Sequence, residues 1–202
     1  MDFLLSSAFV QNRGSYFMNI IQDNIALMII DVQKGFINSK TRHIPFKIRE
    51  ILDSYFIKHV IATRFINRQD SPFITLIKWN KLMKDEEIEL NEIISLDRIK
   101  VFDKYFYSAF TEEVSGYLGK NKIDTLIIVG IDTDICIIKT AADAFERGYT
   151  PYVLVDYCMS SAGQENHEAA LKILPRLIGE AQVLYGDFAA FLSVHVHLMR
   201  QR

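Results

Sequence analysis

A three-layer α/β sandwich, with helices covering both faces of a parallel sheet, is the fold class that this 202-residue sequence predicts. Two observations carry the prediction. Short apolar runs rich in β-branched residues alternate along the chain with segments whose apolar residues recur at helical spacing. Several of the short runs are apolar at every position, the pattern of strands buried on both faces, and right-handed crossovers then place the helices above and below them.

The first strand is Ile25 to Ile30, IALMII, closed by Asp31. Lys47 to Phe56 follows as an amphipathic helix, with Ile48, Ile51, Leu52, Tyr55 and Phe56 on one side, and His59 to Phe65 makes the second strand. Arg98 to Phe102 is a short third strand leading into Asp103 and Lys104. Thr111, followed by Glu112 and Glu113, signals a helix start, and Gly119 its stop. Thr125 to Val129 is the fourth strand, closed by Gly130; from Thr133 the period turns helical until Arg147 and Gly148. Tyr152 to Val155 ends at Asp156, Gln164 to Ile178 is a helix stopped by Gly179, and Ala181 to Tyr185 is the last strand.

Half of the residues are hydrophobic and the net charge is −2, with both signs interspersed. That suits one core of domain size and gives no electrostatic footprint for nucleic acid or a membrane surface. Two cysteines make no disulfide framework, and no apolar run approaches the length of a membrane span, so a reduced, cytoplasmic setting is expected. Residues 1–24 read as an extension, since Asp2 stands where a signal peptide would be basic; 25–192 read as the domain, and 193–202 as a solvated tail.

Three reactive residues, Asp31, Lys104 and Cys136, each fall just beyond a strand's carboxyl end, where ligands of open parallel sheets bind. Each has a plain structural reading: Asp31 as a turn cap, Cys136 as a small buried hydrophobe. Together they supply a nucleophile, a base and a cation that organises charge. Cys136 lies in the first turn of its helix, where unpaired N–H groups and roughly half a positive charge favour thiolate over thiol. Cys158 lacks a basic neighbour and reads as packing. No G-x-G-x-x-G, P-loop, G-x-S-x-G or H-E-x-x-H motif occurs.

The long segment after Phe65 suits a substrate loop. Trp79 within it either walls a pocket or anchors the loop to the core. Phe36, Phe65, Trp79 and Tyr107 are candidates for an apolar pocket, and Arg64 or Asn67 for a carboxylate or amide of a small-molecule substrate. Asp85, Glu86, Glu87 and Glu89 read as a solvated helix face.

The motifs MIIDVQKGF, VFDKYFYSAF, VGIDTDICIIKTAADAFERGY and VDYCMSSAGQENHEAAL resemble those of the isochorismatase-like cysteine hydrolases, which include nicotinamidase and N-carbamoylsarcosine amidase. The resemblance covers Ile25 to about Tyr185. It implies a six-stranded, Rossmann-like parallel sheet, a triad of Cys136, Asp31 and Lys104, and a cis peptide between Ile131 and Asp132. It also implies an oxyanion hole from the backbone N–H groups of Asp132 and Cys136, and a homo-oligomer, dimer or tetramer. Where the nicotinamidase branch carries an Asp-x-His metal motif, this chain has Thr63-Arg64-Phe65-Ile66-Asn67. The implied enzyme is a hydrolase of small amide or ureido C–N bonds with no metal or other cofactor, working through a thioester. The alternatives are an isochorismatase-type or nicotinamidase-type hydrolase of the same fold, or a silent binding protein.

Overall fold

The computed structural model describes residues 22–94 and 97–195. Most of the N-terminal extension and of the C-terminal tail lies outside the described residues. Six strands form one sheet: β1 (Ile25–Ile30), β2 (His59–Phe65), β3 (Lys100–Lys104), β4 (Thr125–Ile131), β5 (Thr150–Met159) and β6 (Val183–Leu184). Their order is β3-β2-β1-β4-β5-β6 and every pairing is parallel. The order reverses between β1 and β4, so the crevice at their carboxyl ends is the natural ligand site of the sheet.

The helices are α1 (Ile44–Ser54), the short α2 (Pro72–Thr75) and α3 (Asp85–Ile88), then α4 (Glu112–Lys120), α5 (Ile138–Glu146), α6 (Gln164–Ile178) and α7 (Phe188–Val194). The strands' period of two sorts them into layers. Ile25, Leu27 and Ile29 of β1 face the core shared with Ile48, Ile51 and Leu52 of α1 and Phe188 of α7. Ala26, Met28 and Ile30 face the opposite core with Val114 of α4, Ala141 of α5 and Leu174 of α6.

Several element ends differ from the sequence prediction, each for a local reason. Helix α1 starts at Ile44 because Pro45, at the first positions of the helix, is preset for it. Strand β3 is displaced two residues, so Lys104 is its last residue, paired with Phe65 at the end of β2. Strand β5 runs through Asp156 to Met159, because a register shift opposite Ile128 and Gly130 lets it bend and continue. The last strand shrinks to Val183–Leu184, and α7 is a helix that the periodicity did not reveal. His195, expected in a solvated tail, is buried against the rings of Phe191 and Tyr152.

Gly130 does not close β4. It lies within the strand at φ +128°, where a Cβ would come 2.2 Å from the Ile30 carbonyl oxygen. Only glycine lets the two backbones meet there. The two strands that lead into Asp31 and toward Cys136 are therefore held together at their tips. Gly130→Ala should lower the unfolding free energy by at least about 2 kcal/mol, measured by urea titration.

Candidate functional site

Asp31 follows β1 directly, at φ +49°, a conformation uncommon outside glycine and worth its strain only when surroundings enforce it. Its backbone N–H donates to Thr63 Oγ1 at 3.3 Å, and Thr63 Oγ1 donates in turn to Asp31 Oδ1 at 2.7 Å. The other carboxylate oxygen, Oδ2, lies 2.7 Å from Lys104 Nζ. Both side chains are wholly excluded from solvent. This contact is charge against charge rather than an aligned hydrogen bond. The ammonium donates instead to the carbonyls of Tyr107 (2.8 Å) and Phe106 (3.1 Å) and to Cys136 Sγ at 3.5 Å. Asp31, Lys104 and Cys136 thus meet in one buried cluster.

Burial alone would lower the Lys104 pKa, but the negative charge of Asp31, reinforced by Cys136, outweighs it and leaves the ammonium more basic than usual. The thiol behaves oppositely. Burial pushes the Cys136 pKa up, Lys104 pulls it down, and the Asp31 carboxylate pushes it up again, with a net rise. The helix-terminus argument for a resting thiolate is corrected on this point. Cys136 sits in a single π turn, Thr133–Ile137, that precedes α5, and desolvation together with the neighbouring carboxylate outweighs the pull of Lys104. The proton rests on sulfur, within the reach of a base. Cys158 is also buried with its pKa pushed up by burial, facing the Ile128 carbonyl from within β5.

The peptide joining Ile131 to Asp132 is cis. Asp132, 6% exposed, turns its side chain toward the turn after β5, where Ser161 donates to it from both its backbone N–H and its Oγ. The π turn is tied to α6 by Thr133 Oγ1 and His167 Nδ1, 2.8 Å apart.

Above Cys136 opens a cavity of about 260 Å³. Phe36, Phe65, Trp79 and Tyr107 line it, as does Phe73, which the sequence did not single out. The rings form a continuous wall: Phe36 stacks on Trp79 at 6.0 Å, Phe65 meets Phe73 at 4.8 Å, and Phe73 meets Tyr107 edge-on at 5.0 Å. Trp79 also packs on the core, so wall and anchor are one residue. The polar lining comes from Asp132, Ser161, Asn38 and Lys81. The last three lie in loops without periodic pattern, and their convergence depends on the fold.

Arg64 and Asn67 do not line this cavity, contrary to the sequence expectation. Arg64 pairs with Asp103, its direct neighbour across β2 and β3, at 2.7 Å, on a separate surface depression. Asn67 is buried and holds the loop instead: Nδ2 donates to the carbonyls of Trp79 and Lys81, at 3.0 and 3.1 Å, and Oδ1 accepts from Ser71. Gln33 performs a similar task at the other end, bonding Phe65 N, Phe65 O and Ile88 O. Helix α3 buries none of its residues, although Glu87 Oε2 accepts from Leu82 N, and Glu89 pairs with Lys34.

Among the described residues, no three histidine, cysteine or carboxylate side chains converge to hold a metal ion. At 63–67 the side chains are a hydroxyl bound to Asp31, a guanidinium bound to Asp103 and an amide bound to carbonyls, a donor set that does not fit a zinc or iron centre.

Removing one member of a buried ion pair strands the other. Lys104→Met should cost about 3–5 kcal/mol in urea unfolding at pH 7, and Asp31→Asn added to it should recover much of the loss. Asp132 makes a second, pH-dependent prediction. Burial above all pushes its carboxyl up to about 6, Ser161 opposes this, and Asp134 and Asp31 add repulsion. The folded protein therefore binds a proton more tightly than the unfolded chain, whose value is near 3.8. Stability should fall by about 2–3 kcal/mol as pH rises from 3.8 through about 6, and this limb should vanish in Asp132→Asn.

The isochorismatase domain model matches residues 25–181, most of the chain. The chain is 31% identical over 145 residues to isochorismatase family protein 1B of Dictyostelium discoideum, spanning 70% of this chain and 66% of that protein. It is 29% identical over 176 residues to a nicotinamidase of Acinetobacter baylyi, spanning 67% of this chain and 81% of the relative. In three dimensions it resembles the N-carbamoylsarcosine amidase of Thermoplasma acidophilum, with a TM-score of 0.67 and 22% identity over 81% of this chain and 96% of the other. The chain belongs to the isochorismatase-like hydrolase family.

Proposed function

We propose that this protein is a metal-independent cysteine hydrolase that cleaves a C–N bond of a small amide or ureido compound. The carrying observation is the fully buried contact of Asp31, Lys104 and Cys136 beneath an aromatic-walled cavity. Lys104 places a positive charge 2.7 Å from the Asp31 carboxylate away from solvent, and Asp31 is then the base for a thiol whose proton is tightly held.

As the substrate carbonyl settles over Cys136, the thiol proton passes to Asp31 while sulfur bonds to carbon and the carbonyl electron pair moves onto oxygen. The backbone N–H groups of Asp132 and Cys136 receive that oxyanion. Collapse of the intermediate breaks the C–N bond, and the leaving nitrogen takes the proton back from Asp31, leaving a thioester. Water then gives a proton to Asp31 as its oxygen bonds to the same carbon. Collapse expels sulfur, which recovers the proton, and the acid product departs. Lys104 remains protonated throughout, and its other acceptors, the carbonyls of Phe106 and Tyr107, keep it in place while charge moves between Asp31 and sulfur. A sulfur nucleophile and a carboxylate base suit acyl transfer from nitrogen, and the nicotinamidase and amidase relatives act in that class by name.

A panel of small primary amides and ureas, followed by intact-protein mass spectrometry, should reveal an acyl adduct that maps to Cys136. Cys136→Ala and Asp31→Asn should each lower turnover at least about a thousandfold. Full turnover by Cys136→Ala would sink the reading.

A further inference from the structure

Among the described residues, Asp132 is a buried carboxylate that enters no ion pair; the Lys40 ammonium nearby donates instead to the carbonyl of Ala162, on the same loop as Ser161. The ion pairs of the described residues engage Asp23, Asp31, Asp53, Asp103, Asp143, Glu89 and Glu92, but not Asp132. Its partners are the neutral donors of Ser161, and Asp134 and Asp31, whose charges act on it, are of its own sign. The buried ammonium nearby, Lys104, is already committed to Asp31. A carboxylate that has lost its water and gained no countercharge is costly unless a ligand supplies one.

This residue lines the same cavity as Cys136, together with the rings of Phe36, Phe65, Phe73, Trp79 and Tyr107. Aromatic faces and a carboxylate are the two groups that attract a cationic nitrogen once water is excluded. Lys81, the cavity's one lysine, belongs to an exposed residue at the rim, where solvent screens it. We propose that Asp132 is a specificity-determining residue and that the substrate of this site carries a positively charged nitrogen, such as an ammonium or amidinium, close to the scissile carbonyl. The inference rests on the cavity being the substrate site.

The test compares benzamidine with benzamide, which share a shape and differ in charge. Both are titrated into the full chain carrying Cys136→Ala by isothermal calorimetry at pH 7.5. Benzamidine should bind at least about tenfold more tightly. Asp132→Asn, added to Cys136→Ala, should erase the preference, whereas Asp132→Glu should keep part of it. Equal affinities, no benzamidine binding at about 10 mM, or a preference that survives Asp132→Asn would each overturn the proposal. A pH series keeps the question decidable if Asp132→Asn does not fold. Benzamidine affinity should fall as Asp132 takes up its proton near pH 6, with Asp31, Asp134 and Cys136 facing it, Ser161 donating to it and Lys81 at the rim, while benzamide affinity stays flat. Because no turnover is involved, a charge preference without any acyl adduct on the native protein would sink the hydrolase reading alone. An adduct without the preference would sink only this one.

Discussion

The buried ion pair between Asp31 and Lys104 is the constraint on which the site depends. Two opposite charges without solvent are tolerable only when each also has hydrogen-bonding partners, and here both do: Thr63 on the acid, the carbonyls of Phe106 and Tyr107 on the ammonium. The pair and its partners together come from the carboxyl ends of three separate strands. Satisfying the pair therefore fixes the tips of β1, β2 and β3 relative to one another. Gly130 adds the fourth, by allowing β4 to press against Ile30. The geometry beneath the cavity follows from the cost of leaving either charge alone.

Much of the fold was legible because buried parallel strands and amphipathic helices write different periods into a sequence. The positions of Asp31, Lys104 and Cys136 were legible for a related reason: a reactive residue shortly after an apolar run lies at the sheet's carboxyl edge. What stayed hidden depends on neighbours distant in sequence. Arg64 looks like a free ligand until β3 places Asp103 directly beside it. Asn67 looks like a recognition group until the loop folds back and offers it two carbonyls. Phe73 carries no local signal separating it from any other core phenylalanine, and β5 outruns its apolar stretch because a bulge lets it turn. The thiol's raised pKa was illegible too, since helix position is a local property whereas desolvation is a property of the whole packing.

The polar side of the cavity obeys the same logic with a different outcome. Asp31 received its cation from the chain; Asp132 received two hydrogen bonds from Ser161 and repulsion from its neighbours. Two carboxylates on adjacent strand ends thus live in contrasting surroundings, one compensated and one not. In a cavity walled by five aromatic rings, that contrast separates a group settled by the protein from a group left facing whatever enters.

Asn67 gives the loop after β2 a particular mechanical character. One amide just beyond β2 grips the backbone at Trp79 and at Lys81, so a ring and a lysine that face the cavity share one polar tether, to which the packing of Trp79 on the core is added. Chemistry resides in strand tips that cannot move without stranding a charge, whereas this part of the wall is held by neutral bonds and ring packing. The shape of the chamber can therefore drift across generations by exchanging residues of one contiguous stretch, while the reacting atoms beneath it remain where the sheet put them.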